Sequence, residues 1–295
     1  HIAVLLNVDV DHLNWHKDED DYRRAKLRIF ENQTPADYSI INADEAVFAE
    51  AAKATRGRVC AYSLTRTQNA VAWTESNFTC LDESLGTADA TGIAHKIVDR
   101  SALPVIGAVN ISNALAVATV ARLAGAPFDA IAEGLKTFKP LAHRLEYCGE
   151  QAGIKFFDDS KGTTPHASIA AMKALAGGPW LTVILGGSEK NLDYSELAQV
   201  ASRLCHAVVL TGEAGPRMLR AFETIPACGN GKKNAFLIVE MDFSKAVERA
   251  VQVTPTDGTV LLSPACASFD YFKNYAERGD FFKRKVKEFA VPVPA

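Results

Sequence analysis

In the first half of the chain, short apolar runs alternate with segments whose apolar residues recur at helical spacing. Residues 2–8 form an apolar run typical of a buried parallel strand. Because the chain opens on this run without methionine, we expect it to start inside a domain. The pattern predicts further strands at 38–42 and 58–62, a hairpin around 71–73 and 78–80, and helices at 44–55, 110–123 and 127–135.

After about residue 137 the pattern becomes a regular alternation of strands and helices. This βαβα order predicts a mostly parallel, doubly wound sheet whose ligands meet the loops at the carboxyl ends of the strands. Pro140 disfavours helix continuation, so domains are expected at 1–140 and 141–295. The predicted strands are 154–157, 181–185, 207–211, 236–240 and 259–263, and the predicted helices are 165–175, 194–204, 216–222, 243–253 and 270–289.

The composition is that of a folded protein with two domains. The 295 residues are 48% hydrophobic and 23% charged, which are ordinary values for a globular chain. A formal net charge of -3 without a dense Lys/Arg run argues against nucleic acid as a partner. No apolar run approaches the about 18 residues of a membrane span, and the six scattered cysteines lack zinc-ligand spacing. We therefore expect a monomeric cytoplasmic protein with small-molecule partners and no membrane contact.

Four predicted strand ends in the second half release polar, glycine-rich or small-residue segments, which a parallel sheet would bring to one crevice. The first combines carboxylates, a lysine and hydroxyls, while the last offers backbone N–H groups to an anion. Taken singly, Asp158, Thr164 and Asp270 are better explained as helix caps, but the four loops together favour a functional site. They are 158–164, 186–191, 211–215 and 263–270.

Two residues near the beginning of the chain are ambiguous by themselves. His12 follows the first strand among carboxylates and has the chemistry of a metal ligand. A lone histidine is nevertheless more often a surface or core residue. Lys26 lies in a predicted helix, where a solvated lysine is the ordinary interpretation.

A resemblance to a known family resolves these ambiguities. Seven segments resemble motifs of the Mur ligases, in the order of that family, and together they span nearly the whole chain. They are NVDVDHL at 7–13, RAKLRIF at 24–30, GAVNISNA at 107–114, His143-Arg144, DSK at 159–161, GG at 186–187 and LSPACASFDYFKN at 262–274. The last segment, continuing through 276–279, is similar to the branch of the family that adds D-glutamate.

The resemblance implies an α/β fold, with the remnant of a P-loop-type central ATPase domain followed by a Rossmann-like doubly wound C-terminal domain. His12 and Lys26 match a magnesium site, in which the lysine is carbamylated and so offers oxygen to a hard cation. Together with Lys161 these are the expected catalytic residues. The residues expected to contact ATP are Asn110, Asn113, Arg144, Asp159 and Lys161. The residues expected to contact the amino acid are Thr163, Lys190, Ser268, Phe269 and Tyr275.

The chain departs from the family at several points. Val109 replaces a usual histidine, so we expect altered nucleotide contacts there, whereas Asn14 and Tyr275 replace a common aspartate and a common phenylalanine. No GxxxxGK[ST] phosphate loop occurs in the 295 residues, although these ligases need one for ATP. We expect that loop, a second metal-binding carboxylate and the UDP-binding domain upstream of His1, and therefore expect the chain to be inactive by itself.

The function implied for the complete protein is ligation. ATP and Mg²⁺ would convert the carboxylate of UDP-N-acetylmuramoyl-L-alanine to an acyl phosphate, and the amine of D-glutamate would displace phosphate. This reaction belongs to peptidoglycan precursor synthesis and so bears on cell shape and division. The alternatives are a sibling ligase for another amino acid, a folylpolyglutamate-type ligase, and a noncatalytic nucleotide-binding module.

Lys190 gives a first testable prediction. It follows a predicted strand, and Ser268 is expected to begin a helix in the loop beside it, so the ammonium and the helix N-terminus would supply two anion sites for a dicarboxylate. In the complete enzyme, Lys190→Ala should raise the KM for glutamate far more than the KM for ATP. The rise should correspond to a loss of about 1.5–3 kcal/mol in binding free energy for glutamate. Steady-state kinetics for both substrates measure this, and a variant within about 0.5 kcal/mol of wild type would mark Lys190 as a solvated loop lysine.

Overall fold

The computed structural model of the chain describes residues 1–8, 15–85, 93–189, 191–225 and 235–289. Two compact units compose it, His1–Lys139 and Pro140–Ala295. The division falls one residue before the boundary that the sequence favours. Within the described residues, no helix combines the length and the apolar character that crossing a bilayer requires.

The first unit contains one six-stranded sheet in the order β1-β2-β3-β4-β5-β6. Strands β1 to β4 are parallel, whereas β4, β5 and β6 form an antiparallel meander. The strands are β1 (Ile2–Leu5), β2 (Tyr38–Asn42), β3 (Arg58–Tyr62), β4 (Ala70–Glu75), β5 (Phe78–Asp82) and β6 (Ala94–Asp99). The helices are α1 (Glu19–Leu27), α2 (Phe48–Ala54), α3 (Ala108–Leu123) and α4 (Phe128–Thr137).

Helices cover both faces of this first sheet. On one face, Leu115 of α3 packs in a fully buried cluster with Tyr62 and Leu81 of the strands. On the other face, Phe30 and Ala51 pack around Ile41. A sheet buried on both faces needs apolar residues at successive positions, which explains the continuous apolar runs of its parallel strands.

The second unit contains a six-stranded sheet in the order β11-β10-β9-β12-β8-β7, parallel except for β7. Its strands are β7 (Glu146–Gln151), β8 (Ile154–Asp158), β9 (Leu181–Gly186), β10 (Ala207–Thr211), β11 (Phe236–Val239) and β12 (Thr259–Leu262). Its helices are α5 (Pro165–Leu175), α6 (Ser195–Leu204), α7 (Gly215–Glu223), α8 (Phe243–Val253) and α9 (Tyr275–Glu288).

The doubly wound architecture predicted for the second half is confirmed. Helices α5, α6 and α7 contribute to the core on one face of the sheet, and α8 and α9 to the core on the other. The chain runs outward through β9, β10 and β11 and then returns, so that β12 inserts between β8 and β9. A strand order that reverses in this way leaves a crevice at the carboxyl ends of the central strands, where such folds bind ligands.

Four elements differ from the sequence prediction. Helix α2 begins at Phe48 rather than at 44, because the Asp44 carboxylate accepts hydrogen bonds from the Ser63 hydroxyl and the Leu64 N–H. Strands β6 and β7 were not predicted at all. Helix α9 begins at Tyr275 rather than at 270, because the Asn274 side chain caps it by accepting from the Glu277 N–H.

Gly186 at the end of β9 gives a stability prediction. Its φ is +125°, and a Cβ there would overlap the Thr211 carbonyl oxygen on the neighbouring strand. Gly186→Ala should therefore lower the free energy of unfolding of the second unit by about 2–5 kcal/mol, through backbone strain and steric overlap. Urea denaturation of both variants measures the effect. Gly177→Ala is the matched control, because nothing lies within 4 Å of a Cβ there. Equal midpoints for the two variants would contradict the prediction.

Candidate active site

Loops from three central strands are hydrogen-bonded to one another at the carboxyl edge of the second sheet. The Asp159 N–H after β8 donates to the Leu262 carbonyl of β12, with an N to O distance of 2.7 Å. The Gly186 N–H at the end of β9 donates to the Pro264 carbonyl at 2.8 Å. The meeting of these strand ends, expected from the sequence, is therefore confirmed, and the loops form one continuous surface.

Asp159 is a buried carboxylate at the centre of this surface. Its Oδ2 accepts a hydrogen bond of 2.7 Å from the Ser263 hydroxyl, and its Oδ1 accepts one of 3.2 Å from the Leu145 N–H. Burial raises the pKa of Asp159 to about 6, against the effect of these donors. The side chain therefore changes charge close to neutral pH, and it is 7% exposed. Such a group is poised to accept a hydrogen bond from a ligand hydroxyl.

The neighbouring carboxylate, Asp158, is paired with His143. The Asp158 Oδ2 lies 2.8 Å from the His143 Nδ1, and its Oδ1 accepts from the Ser160 N–H. Burial raises the pKa of Asp158, and the histidine opposes that shift. Gly279 packs so closely that a Cβ there would overlap both the imidazole and the carboxylate. Asp158 is therefore part of a buried pair and not the helix cap that it could have been.

Arg144 and Lys161 bring positive charge beside Asp159. Arg144 is exposed and lies between two residues of positive φ, His143 at 63° and Leu145 at 47°, in a turn that projects its side chain outward. The Lys161 N–H donates to the His143 carbonyl at 3.0 Å, and the Lys161 Nζ lies 5.5 Å from the centre of the Tyr275 ring. Two cations next to a buried carboxylate suit a ligand that carries phosphates and hydroxyls.

Of the residues expected to contact the amino acid, Thr163 lies on the loop after β8, Ser268 and Phe269 lie on the loop after β12, and Tyr275 is the first residue of α9. Ser268 is 2% exposed, whereas Phe269 is 73% exposed and Thr163 is half-buried. The expectation that Ser268 begins a helix is wrong. The N–H groups of Tyr271 and Phe272 both donate to the Ser268 carbonyl, and the chain turns there without entering a helix. Any anion at this loop would therefore meet turn N–H groups rather than a helix N-terminus.

One residue at this edge had no role in the sequence interpretation. Arg278, in the first turn of α9, is 1% exposed, and its guanidinium reaches the loops after β8 and β12. A signal was present in the sequence, because Arg278 shares the helical spacing of Phe282 and Val286 and so occupies the core face of α9. An arginine on an apolar face marks a buried polar network.

The first unit carries three of the expected site residues within its described part. Asn110 and Asn113 lie one turn apart near the start of α3, and the Asn110 amide donates to the Ile106 carbonyl at 2.8 Å. Val109, in place of the usual histidine, is 51% exposed. Lys26 is exposed on α1, with its Nζ 5.0 Å from the centre of the Tyr22 ring. The roles of these residues stay predictions.

His12 and Lys190 lie outside the described residues. Among the described residues, Lys26 forms no ion pair with a carboxylate, and its expected role at a magnesium site stays a prediction. In the second unit, His143, Glu146 and Asp158 offer ligand atoms within 4.8 Å of one another. The Glu146 carboxylate accepts from the His143 N–H and pairs with Lys283, and the His143 imidazole pairs with Asp158. The cluster is therefore a satisfied hydrogen-bond network.

Comparisons with known proteins give the same family for both units. The model of the Mur ligase middle domain matches residues 1–121, and that of the Mur ligase glutamate ligase domain matches residues 143–266. The UDP-N-acetylmuramoylalanine--D-glutamate ligase of Rubrobacter xylanophilus is 37% identical over 96% of this chain and 59% of its own length. The enzyme of the same name from Caldanaerobacter subterraneus is 33% identical over 97% and 60%. The chain thus spans about 60% of the length of these curated relatives.

Solved structures agree on the fold. MurF from Acinetobacter baumannii superposes with a TM-score of 0.71 at 18% identity, covering 96% of this chain and 59% of the other. The folylpolyglutamate synthase of Mycobacterium tuberculosis, complexed with ADP and AMPPCP, gives a TM-score of 0.63 at 16% identity, with 95% and 63% covered. With two domain models matching in order and relatives aligned along nearly the whole chain, this protein belongs to the Mur ligase family.

Proposed function

We propose that this chain is the nucleotide- and amino-acid-binding part of a ligase that adds D-glutamate to UDP-N-acetylmuramoyl-L-alanine at the expense of ATP. The observation that carries the proposal is the hydrogen bond from Ser263 to Asp159, which joins the loop after β12 to the loop after β8. One loop carries the charges suited to phosphates, and the other has the small residues suited to an amino acid. The name shared by the curated relatives supports D-glutamate as that amino acid.

The charges of the second unit suit the nucleotide side of this reaction. Arg144 and Lys161 would offset the negative charge of transferring phosphate, and Asp159 would accept a hydrogen bond from a ribose hydroxyl. Asn110 and Asn113 of the first unit would contact the base. Mg²⁺, when bound, would neutralise phosphate charge. His12 and carbamylated Lys26 are the residues expected to hold it.

The chemistry asks the protein for orientation more than for a nucleophile. In the proposed acyl phosphate, the glutamate nitrogen forms a bond to the carbonyl carbon, and the bond from that carbon to the phosphate oxygen breaks to release inorganic phosphate. The amino acid would be held by Ser268, Phe269, Tyr275 and Thr163, with its amine beside the acyl phosphate. This proximity would supply most of the acceleration. Excluding water would prevent hydrolysis of the intermediate.

The proposal is tested with the protein extended upstream to include a phosphate loop. Phosphate release should require both UDP-N-acetylmuramoyl-L-alanine and D-glutamate, and L-glutamate, diaminopimelate or D-alanyl-D-alanine should not replace the latter. The 295-residue chain by itself should release none. Turnover with another amino acid would assign a sibling ligase, and turnover with a folate substrate would assign a folylpolyglutamate-type enzyme. Nucleotide binding without any turnover would identify a noncatalytic module.

Asp159→Asn should separate stability from function. Because burial raises the pKa of Asp159 to about 6, folding favours its protonated form. Below about pH 4, the wild type and the variant should therefore have the same free energy of unfolding. As the pH rises through 6, the wild type should lose up to about 3 kcal/mol of this free energy relative to the variant. In the extended enzyme at pH 8, the variant should be at least as stable but about tenfold or more weaker in kcat/KM for ATP.

Urea unfolding at pH 4 and pH 8, together with ATP kinetics at pH 8, measures both effects. Asp193→Asn is the matched control, because the exposed Asp193 carboxylate accepts from the Ser195 N–H at the start of α6 and its pKa is lowered by the Ser195 donors. That substitution should cost stability and leave ATP kinetics unchanged. A loss of stability at pH 8 for Asp159→Asn would contradict the argument.

A further inference from the structure

Arg278 is a charged residue in the position of a core residue. It is 1% exposed and lies on the face of α9 that also buries Phe282 and Val286. Among the ion pairs of the described residues, none includes its guanidinium. Burial lowers its pKa to about 10, and the nearby charge of Asp270 opposes that shift. The side chain is therefore a cation at neutral pH, and its hydrogen-bond partners are neutral.

The guanidinium makes four hydrogen bonds, divided equally between two loops. On the loop after β8, Nε donates to the Ser160 hydroxyl and one terminal nitrogen donates to the Ser160 carbonyl, both at 2.9 Å. On the loop after β12, the terminal nitrogens donate to the Cys266 carbonyl at 2.9 Å and to the Ala267 carbonyl at 3.1 Å. One planar group thus sets the separation between Ser160 and the two residues that precede Ser268.

Stability alone does not account for a guanidinium in this place. Replacing a buried charge by an apolar group of similar volume is often neutral or stabilising, because the charge loses its hydration. What an apolar side chain cannot do is hold three carbonyl groups from two loops at fixed directions. Lysine carries a point charge without the planar fork, so it would satisfy fewer of these acceptors. The geometry of the bonds is therefore the distinctive contribution of Arg278.

Neighbouring contacts fix the helix turn that carries Arg278. Gly279 packs against the paired His143 and Asp158 with no space for a Cβ. The Ser160 hydroxyl, which accepts from Arg278, itself donates to the Tyr275 carbonyl at 2.7 Å. Three hydrogen bonds thus join the first turn of α9 to Ser160 in the loop after β8, and Arg278 extends this attachment to the loop after β12.

We propose that Arg278 is a positioning residue that holds the amino-acid loop, residues 264–269, in register with the nucleotide loop, residues 159–162. It touches no reacting atom in this role. Its effect is to place Ser268 and Phe269 relative to Asp159 and Lys161, so that the amine of the amino acid is aligned with the activated carboxylate. This inference rests on the proposed function and extends it to a residue that touches no substrate.

The test uses the extended enzyme with Arg278→Met, Arg278→Lys and the control Arg284→Gln. Met fills the buried space without a fork, Lys keeps the charge, and Arg284 is an exposed arginine on the same helix. For both Arg278 variants, the KM for D-glutamate should rise about tenfold or more and kcat should fall, while the KM for ATP stays within about threefold. Arg284→Gln should match wild type.

Melting temperatures and circular dichroism establish that each variant is folded. A purely structural role would lower the melting temperature and leave the KM for D-glutamate unchanged in the folded fraction, which would overturn the proposal. A KM for ATP that rises as much as the KM for D-glutamate would also overturn it. Added guanidinium ion should partly restore Arg278→Ala, and methylammonium should not, because only guanidinium reproduces the planar fork.

Hydrogen exchange of the 295-residue chain separates this inference from the proposed function. Peptides covering 159–162 and 264–269 should exchange faster in Arg278→Met than in wild type, while peptides of α6 and β10 stay protected. Unchanged exchange in both loops would overturn the positioning role whatever the substrate. If the wild-type extended enzyme failed to use D-glutamate although the loops loosened as expected, the proposed function would fail and the positioning role would stand.

Discussion

The insertion of β12 between β8 and β9 is the constraint on which the candidate site of the second unit depends. Leu262 pairs with Asp158 on one side and with Ile184 on the other, so the carboxyl ends of three strands lie at one level. From that level, the loops after β8 and β12 leave side by side and bond to each other through Asp159 and Ser263. A shift of β12 by one residue would reverse the faces of its side chains and separate these partners.

Buried polar groups hold this edge together at an appreciable cost in desolvation. Asp158 has the imidazole of His143, Asp159 has a hydroxyl and an N–H, and Arg278 has three carbonyl groups and a hydroxyl. Directed hydrogen bonds compensate the loss of hydration of each buried group. Such networks specify one geometry, because losing a partner leaves a buried group unsatisfied.

The residues around this network divide into rigid and accessible sets. Ser268 and Asp159 are almost fully buried, whereas Arg144 and Phe269 extend into solvent from the same loops. A binding site built in this way holds some ligand-contacting groups in fixed, buried positions and presents others to solvent. In the proposed function, a nucleotide would meet the loop after β8 and an amino acid the loop after β12.

The sequence by itself determined the alternation of strands and helices, the doubly wound second half and the loops that meet there, because apolar periodicity and loop composition are local properties. It also indicated Asp159, Arg144 and Lys161, through motifs that resemble those of the family. Only the tertiary structure decided that Ser268 lies in a turn before α9, that Asp158 pairs with His143, and that Arg278 joins two loops. The pairing of Asp158 with His143 and the bond of Arg278 to Ser160 join residues 15 and 118 positions apart in the chain, and no local pattern records which carbonyl a buried guanidinium will reach.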